Sequence, residues 1–181
     1  MNLYEQVAAQ ARAHPDRVAV TDPDGEDLTY ADLDRQARAV HAYLDGRTEP
    51  GDRVAIYMMD NPTYVTAALG AWRAGCVVTL VNYRFGAEEV AFVLNDIRPT
   101  VLLTDDVFEG AARGASEDVE SIDEVVRGHS DSFAADAFGD PDAAPDPVVR
   151  FDDDPAIVMH TSGTTGDPKG VVQRHRDVAA Q

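Results

Sequence analysis

The chain has 181 residues, with 33 acidic and 15 basic side chains and a net charge of −18. This length fits one domain or one domain with an appendage, and the acidic balance argues against binding to nucleic acid through a basic face. No apolar run approaches the roughly 20 residues of a membrane span, and the first residues lack the pattern of a secretory signal.

The predicted elements alternate between helices and strands. In chain order they are a helix over 3–13, a strand Arg17–Thr21, an extended pair Leu28–Thr29, a helix Tyr30–Leu44, a strand Arg53–Met58, a helix from Asn61-Pro62 to Arg73, a strand Cys76–Val81, a helix Ala87–Asp96 and a strand Thr100–Thr104. The helices are predicted from helical spacing of apolar residues. This rhythm indicates an α/β fold with a mostly parallel sheet and flanking helices.

The composition changes after residue 113. Residues 114–154 hold 13 acidic side chains and two basic ones. We interpret them as a mostly exposed acidic connector with a short helix at Ile122–Arg127. The chain is thereby divided into an α/β subdomain over 1–113, a connector over 114–154 and a final segment over 155–181.

The kinds of charge are unusual. Of the acidic residues 24 are Asp, and 14 of the 15 basic residues are Arg. Regular apolar periodicity argues against disorder, so we interpret the acidity as adaptation to a salty cytoplasm, and the presence of a single cysteine fits a reducing one. At about 1 M salt the Debye length is near 3 Å, which screens the self-repulsion of such a chain. The single cysteine, Cys76, excludes an internal disulfide.

The final segment carries the most informative motif. An apolar strand, Ala156–Met159, precedes TSGTTGDPKG at Thr161–Gly170. Its glycines let the backbone turn sharply and approach a ligand, and its hydroxyls and successive N–H groups can surround an anion. The lysine of this motif, Lys169, is the only lysine in the chain. Such a loop suits phosphate oxygens better than it suits a flexible linker.

The motif differs from the common nucleotide P-loop. That pattern needs Gly-Lys-Ser/Thr followed by a helix, whereas Lys169 follows Pro168 and precedes an extended segment, Val171–Arg174. The loop is therefore predicted to join two strands. Lys169, Arg174 and Arg176 form a local positive island in the sequence, as an ATP site requires.

TSGTTGDPKG resembles the phosphate-loop signature of the adenylate-forming superfamily, which includes acyl-CoA synthetases, adenylation domains and luciferases. LTYADL at 28–33, the segment 51–85 and the segment 87–105 are similar to the N-terminal region of acyl-CoA synthetases in order and spacing. Asn82–Arg84 favours acyl-CoA synthetases over peptide-synthetase adenylation domains.

The resemblance implies a reaction in which a carboxylic acid and ATP give an acyl-adenylate and pyrophosphate, and CoA then displaces AMP. It implies that Lys169 pairs with phosphate charge and that Thr165 lies near the Mg²⁺ of Mg–ATP. The implied phosphate cradle consists of Thr161, Ser162, Gly163, Thr164, Thr165, Gly166, Lys169 and Gly170.

Family members are well over twice this length. The acyl, adenine, ribose and CoA contacts, the acidic Mg²⁺ ligand and the catalytic lysine of the family have no counterpart here. We therefore expect an N-terminal fragment that does not complete the reaction alone, with a second chain as one source of the remainder. The alternatives are a non-catalytic nucleotide-binding module and a non-functional remnant.

Other candidate residues receive structural interpretations. His14, His41, His129, His160 and His175 lack metal-ligand spacing. His175 is expected at the surface, and His160 either lines the loop or packs at a strand end. Cys76, Trp72 and Tyr64 are expected in the core. Ser162 lacks the G-x-S-x-G setting of a hydrolase nucleophile.

Overall fold

A computed structural model describes residues 2–22, 27–117, 119, 122, 124–128, 138–161 and 169–180. The helices are α1 Leu3–Ala13, α2 Tyr30–Leu44, α3 Pro62–Arg73, α4 Ala87–Ile97, α5 Glu109–Ser116 and α6 His175–Ala179, with a 3₁₀ turn at Pro141–Ala143. The strands are β1 Val18–Val20, β2 Leu28–Thr29, β3 Arg53–Tyr57, β4 Val77–Leu80, β5 Val101–Asp105, β6 Glu124–Gly128, β7 Pro155–Thr161 and β8 Lys169–Arg174.

Six strands form one sheet in the order β6-β5-β3-β4-β7-β8. The first five in this order run parallel, and β8 runs antiparallel to β7. β1 and β2 form a separate antiparallel pair. The predicted α/β fold with a mostly parallel sheet is confirmed.

Helices cover both faces of this sheet. On one face α2 and α3 pack on β3 and β5 through residues such as Val40 and Ile56. On the other face α4 and α5 pack through residues such as Val93 and Leu102. Parallel strands buried on both faces are apolar along their length, which is why these strands were visible as continuous apolar runs.

The helix starts follow from capping residues. The Thr29 hydroxyl accepts from the backbone N–H of Asp32, and the Asp32 carboxylate accepts from the backbone N–H of Thr29 at 3.1 Å. Asn61 caps α3, with Pro62 at its first position. Both arrangements satisfy N–H groups that the helix itself leaves free, so each helix begins where its cap lies.

Two glycines permit close packing beside the sheet. A Cβ on Gly70 would collide with Val40 and lie 2.8 Å from the carbonyl oxygen of Ala37, so α2 and α3 touch at this point. Gly75 has φ +79°, and a Cβ there would lie 2.6 Å from the Val148 side chain. The turn after α3 therefore requires glycine for both its backbone conformation and its neighbour.

The short helix expected at Ile122–Arg127 is wrong. Residues 124–128 form strand β6, which pairs in parallel with β5, from Val101 opposite Glu124 to Asp105 opposite Gly128. A short sequence with two adjacent valines suits either state, and pairing with the sheet decides in favour of the strand. Helix α5, which precedes it, was not predicted.

The predicted acidic connector also contacts helices α2 and α3. Phe138 is buried and meets the Tyr43 ring edge-on, with 6.2 Å between the ring centroids. The backbone N–H of Val148 donates to the carbonyl of Arg73 at 2.9 Å. The chain is therefore held against α2 and α3 before it enters β7.

The expected core residues lie in the core. Cys76 is buried, and burial raises the pKa of its thiol to about 11. Trp72 is partly buried, and its indole N–H donates to the carbonyl of Ala156 at 2.9 Å. Tyr64 is also partly buried, and burial raises the pKa of its phenol to about 12. Within the described ranges, no helix has the length and apolarity to cross a membrane.

Candidate phosphate-binding site

Strands β7 and β8 frame the predicted phosphate loop. β7 pairs in parallel with β4, with Leu80 opposite Met159, and in antiparallel fashion with β8. The last pair of this hairpin is Thr161 opposite Lys169. The loop between them therefore joins two strands, as predicted, and begins at the carboxyl end of a parallel strand, where α/β sheets bind ligands.

Three of the predicted cradle residues are described. Thr161 and Lys169 are exposed at the end of the hairpin, and Gly170 follows in β8. Ser162, Gly163, Thr164, Thr165 and Gly166 lie outside the described residues, and so does the expected role of Thr165 at Mg²⁺. The hairpin thus brings a hydroxyl and an ammonium group to one exposed end of the sheet.

His160 lies one residue before the loop end of this hairpin. Its side chain is only 1% exposed, and its Nε2 is 2.9 Å from Oδ2 of Asp96 in α4. Because an ionised carboxylate only accepts hydrogen bonds, His160 donates from Nε2. Its Nδ1 is buried and has no hydrogen-bond partner among the residues that the structure describes. His160 therefore packs at the strand end and connects β7 to α4.

Gly170 is the cross-strand partner of His160. A Cβ on Gly170 would lie 3.2 Å from Nε2 of His160 and 3.5 Å from Oδ2 of Asp96. The imidazole therefore occupies the space that a side chain at residue 170 would need. This glycine lets the His160–Asp96 pair lie directly beneath the start of β8.

A buried carboxylate organises the neighbouring strand ends. Asp105, the last residue of β5, is 0% exposed. Its Oδ2 accepts from the backbone N–H of Met59 at 2.9 Å, and its Oδ1 accepts from the N–H of Phe108 at 3.0 Å. Asp105 thereby connects the chain that follows β3 to the chain that follows β5.

Aromatic rings pack at the same carboxyl ends of the strands. Tyr57 and Phe108 have ring centroids 4.8 Å apart, and Tyr83 lies 6.4 Å from Phe108. Burial and the nearby charge of Asp105 raise the pKa of the Tyr57 phenol. Tyr57 therefore stays neutral at ordinary pH and packs as an aromatic residue.

The positive island predicted from the sequence is largely neutralised. Arg174 Nη1 lies 3.3 Å from Oδ1 of Asp153, and Arg176 pairs with the same carboxylate. Nε of Arg176 also lies 3.7 Å from Oδ1 of Asp177. Arg174 is the last residue of β8 and Arg176 follows it, so both lie at the end of β8 that is remote from the loop. Of the three cations, Lys169 is the one that lies at the end of the hairpin.

His175 is not a surface residue. It is 1% exposed, and its Nδ1 accepts from the backbone N–H of Leu3 at 3.3 Å. Burial and the charge of Arg150 lower the pKa of its imidazole. A neutral His175 thus connects α6 to the start of α1. The expectation of exposure was wrong because the partner lies 172 residues away in sequence.

The residues described contain no group of three or more His, Cys, Asp or Glu side chains that could hold a metal ion.

Sequence reasoning missed two residues of the site, Asp96 and Asp105. A carboxylate directly after an apolar strand, as in TVLLTD, is a signal that could have drawn attention to Asp105. Nothing in the sequence near Asp96 indicates its partner, which lies 64 residues further on.

Comparison with known proteins gives a consistent result. The protein-family model described as "AMP-binding enzyme" matches residues 7–181 of this chain. The chain is 33% identical over 179 residues to the fatty acid–[acyl-carrier-protein] ligase ScoC of Streptomyces coeruleorubidus, covering 98% of this chain and 34% of that protein. It is 34% identical over 178 residues to a 4-chlorobenzoate–CoA ligase of an Arthrobacter species, covering 97% and 33%.

Solved structures share the fold. ATP-bound MatB from Rhodopseudomonas palustris matches with a TM-score of 0.81 and 26% identity, covering 99% of this chain and 36% of that chain. The chain thus spans about a third of the length of the curated relatives it matches.

Proposed function

Because the chain belongs to the AMP-binding enzyme family, we propose that it provides the N-terminal sheet and the phosphate loop of an ATP-dependent acid–thiol ligase. The observation that supports this most directly is the β7–β8 hairpin, which pairs Thr161 with Lys169 at the carboxyl end of β7. A hydroxyl and a cation at that position suit the phosphates of ATP.

We propose that the loop holds the β- and γ-phosphates. The backbone N–H groups and hydroxyls from Thr161 to Gly166 would donate to phosphate oxygens, and Lys169 would balance their charge. Donors fixed in position before ATP arrives stabilise charge as it develops on the leaving pyrophosphate. The His160–Asp96 pair would fix the loop end of the hairpin to α4, so that Lys169 keeps its position.

The proposed reaction has two steps. A carboxylate oxygen attacks the α-phosphorus of ATP, the bond from that phosphorus to the bridging oxygen breaks, and pyrophosphate leaves with the bonding electrons. The sulfur of a thiol then attacks the acyl carbon of the acyl-adenylate, and AMP leaves. We propose CoA as the thiol. ScoC, whose name specifies an acyl-carrier protein, makes a carrier-bound thiol the second candidate.

Mg²⁺ would enter with ATP. It would neutralise part of the phosphate charge, and we propose that the Thr165 hydroxyl contacts its shell. The acyl pocket and the thiol site would come from residues that this chain does not contain, supplied by a second chain or by further residues of a longer protein. On this proposal the 181 residues alone do not complete the reaction, and the protein works in the cytoplasm.

A chimera tests the proposed function. Residues 7–181 would replace the matching segment of the Arthrobacter 4-chlorobenzoate–CoA ligase, and exchange of pyrophosphate into ATP would be measured with 4-chlorobenzoate. We expect exchange by the chimera, and loss of at least about a hundredfold with Lys169→Ala, in keeping with the loss of a fixed group that stabilises charge. The isolated 181-residue chain should show none.

The matched control is Arg113→Gln, which removes one exposed positive charge from α5 and should leave exchange unchanged. A folded chimera whose exchange survives Lys169→Ala would contradict the assigned role of the loop. A chimera that folds but neither binds ATP nor exchanges pyrophosphate would favour a remnant without nucleotide binding. Acid-dependent pyrophosphate release by the isolated chain would contradict the proposal that it needs further residues.

A further inference from the structure

Arg73 is a buried cation with no carboxylate partner among the described residues. At the end of α3 it is only 5% exposed, and no ion pair joins it to any residue that the structure describes. Its Nη1 contacts Nδ1 of His41 and donates to the carbonyl of Pro145 at 2.6 Å. Its guanidinium carbon lies 5.4 Å from the centroid of the Tyr4 ring. None of these neighbours carries a compensating charge.

Hydrogen bonding of this guanidinium is also incomplete. The Nε of Arg73 is buried and has no hydrogen-bond partner within the described part of the chain. Buried charges in proteins are ordinarily paired, because desolvation without a counter-charge is costly. Within the described ranges Arg73 therefore has neither a counter-ion nor an acceptor for its Nε.

Arg73 lines a cavity of about 590 Å³. The cavity lies between α1, α2, the end of α3 and the segment around 141–146. Three further arginines line it, namely Arg12, Arg35 and Arg38. Four of the 14 arginines of a chain with net charge −18 thus surround one polar cavity.

The carboxylates at this cavity are mostly engaged. Asp34 accepts from the Tyr4 hydroxyl at 2.6 Å, and Asp142 pairs with Arg38 at 3.3 Å. Asp146 is the third carboxylate of the lining. Arg35 pairs with Asp32 at 3.3 Å, whereas neither Arg12 nor Arg73 is ion-paired within the described ranges.

We propose that this cavity binds the phosphate group of a small phosphorylated molecule, with Arg73, Arg12 and Arg38 as its ligands. A planar guanidinium matches the oxygens of phosphate with two parallel hydrogen bonds. The cavity volume lies within the roughly 300–1,000 Å³ of small-molecule sites. Among the described residues, β7, β8 and Lys169 contribute nothing to the lining of this cavity.

Calorimetric titration of inorganic phosphate into the 181-residue chain tests the proposal, with KCl adjusted to hold ionic strength constant. We expect saturable binding that Arg12→Gln and Arg38→Gln each weaken at least tenfold. Arg113→Gln, which removes a charge outside the cavity, should leave this binding unchanged, and Lys169→Ala is measured beside it to separate binding at the phosphate loop from binding at the cavity. Far-UV circular dichroism would establish that each variant is folded.

Thermal unfolding supplies the test for Arg73, whose replacement can itself alter stability. Phosphate should raise the melting temperature of the wild-type chain and leave that of Arg73→Met unchanged. Absence of saturable binding would overturn the proposal. If only Lys169→Ala abolished binding, phosphate would be assigned to the loop instead. If Arg113→Gln weakened binding as much as Arg12→Gln and Arg38→Gln, the weakening would be due to the net charge of the protein and not to the cavity.

Discussion

Nε2 of His160 and Oδ2 of Asp96 are 2.9 Å apart, although 64 residues separate them in sequence. This contact connects the strand that enters the proposed phosphate loop to helix α4. The Cα of Gly170 lies opposite His160 in the next strand, so the hairpin and the helix meet at one point. The position of Lys169, one residue before Gly170, therefore depends on a contact that the proposed loop itself does not make.

Gly170→Ala tests this dependence. The added Cβ would lie 3.2 Å from Nε2 of His160, closer than ordinary packing, so the imidazole that pairs with Asp96 must shift by a few tenths of an ångström. We expect Mg–ATP binding to weaken about fivefold, corresponding to ~1 kcal/mol of strain. The measurement is the dissociation constant by calorimetry.

Gly110→Ala is the matched control for this change. Gly110 lies in α5, and a Cβ there would meet nothing within 4 Å. It should leave Mg–ATP binding unchanged and add slightly to helix stability. Equal dissociation constants for Gly170→Ala and the wild-type chain would show that the His160–Asp96 pair does not position the hairpin for ATP.

Gly70→Ala tests the contact between α2 and α3. Its Cβ would collide with Val40 and lie 2.8 Å from the Ala37 carbonyl oxygen, which is backbone and cannot rotate away. We expect the free energy of unfolding to fall by about 1–3 kcal/mol, as in other overpacked cores. Urea unfolding measures it. Gly114→Ala, in open space on α5, should instead raise stability by up to about 1 kcal/mol.

Sequence reasoning succeeded where the signal is local. The start of α2 follows from Thr29 and Asp32 and the start of α3 from Asn61-Pro62, since each cap lies within three residues of the groups it satisfies. The strand–loop–strand form of TSGTTGDPKG followed from Val-Val after Lys169-Gly170. Parallel strands were visible because burial on both faces makes them apolar throughout.

The errors concern residues whose state depends on distant partners. The segment EVVRG forms strand β6 because its backbone pairs with that of β5, and nothing within the segment itself determines whether it becomes a helix or a strand. His175 is buried because α1 lies over it and Leu3 donates to its ring. The burial of Arg73 without an ion-pair partner among the described residues is likewise not visible in the sequence, since it depends on the positions of distant carboxylates.

His41 predicts a loss of stability in mild acid. Burial, together with the positive charge of Arg73, lowers the pKa of its imidazole from 6.5 to about 4. Between these values the unfolded chain binds a proton that the folded chain does not, so stability is present above pH 6.5 and is lost as pH falls toward 4. The loss attributable to His41 is up to about 3 kcal/mol.

Urea unfolding at pH 7 and pH 4.5 measures this loss. His41→Gln should reduce the difference in unfolding free energy between the two pH values, whereas His14→Gln, at an exposed position after α1, should not. The same pH dependence in wild-type and His41→Gln proteins would contradict the assignment of the effect to His41.

We propose that the net charge of −18 makes the fold dependent on salt. Screening shortens the Debye length from about 8 Å at 0.15 M to about 3 Å at 1 M salt, which weakens repulsion among carboxylates. The melting temperature should rise by at least about 5 °C between these KCl concentrations, since 1 kcal/mol shifts it by about 2–4 °C in a domain of this size. Glycerol at equal osmolality is the control, and a melting temperature that KCl does not raise would contradict the interpretation.

Calorimetric titration of Mg–ATP into the 181-residue chain in 1 M KCl tests the central claim most directly, with Lys169→Ala and Arg113→Gln measured beside the wild-type chain. The account predicts saturable binding that Lys169→Ala weakens at least about tenfold, or ~1.4 kcal/mol, and that Arg113→Gln leaves unchanged. A folded chain that does not bind Mg–ATP, or that binds it equally well without the Lys169 ammonium, would contradict the assignment of the phosphate loop.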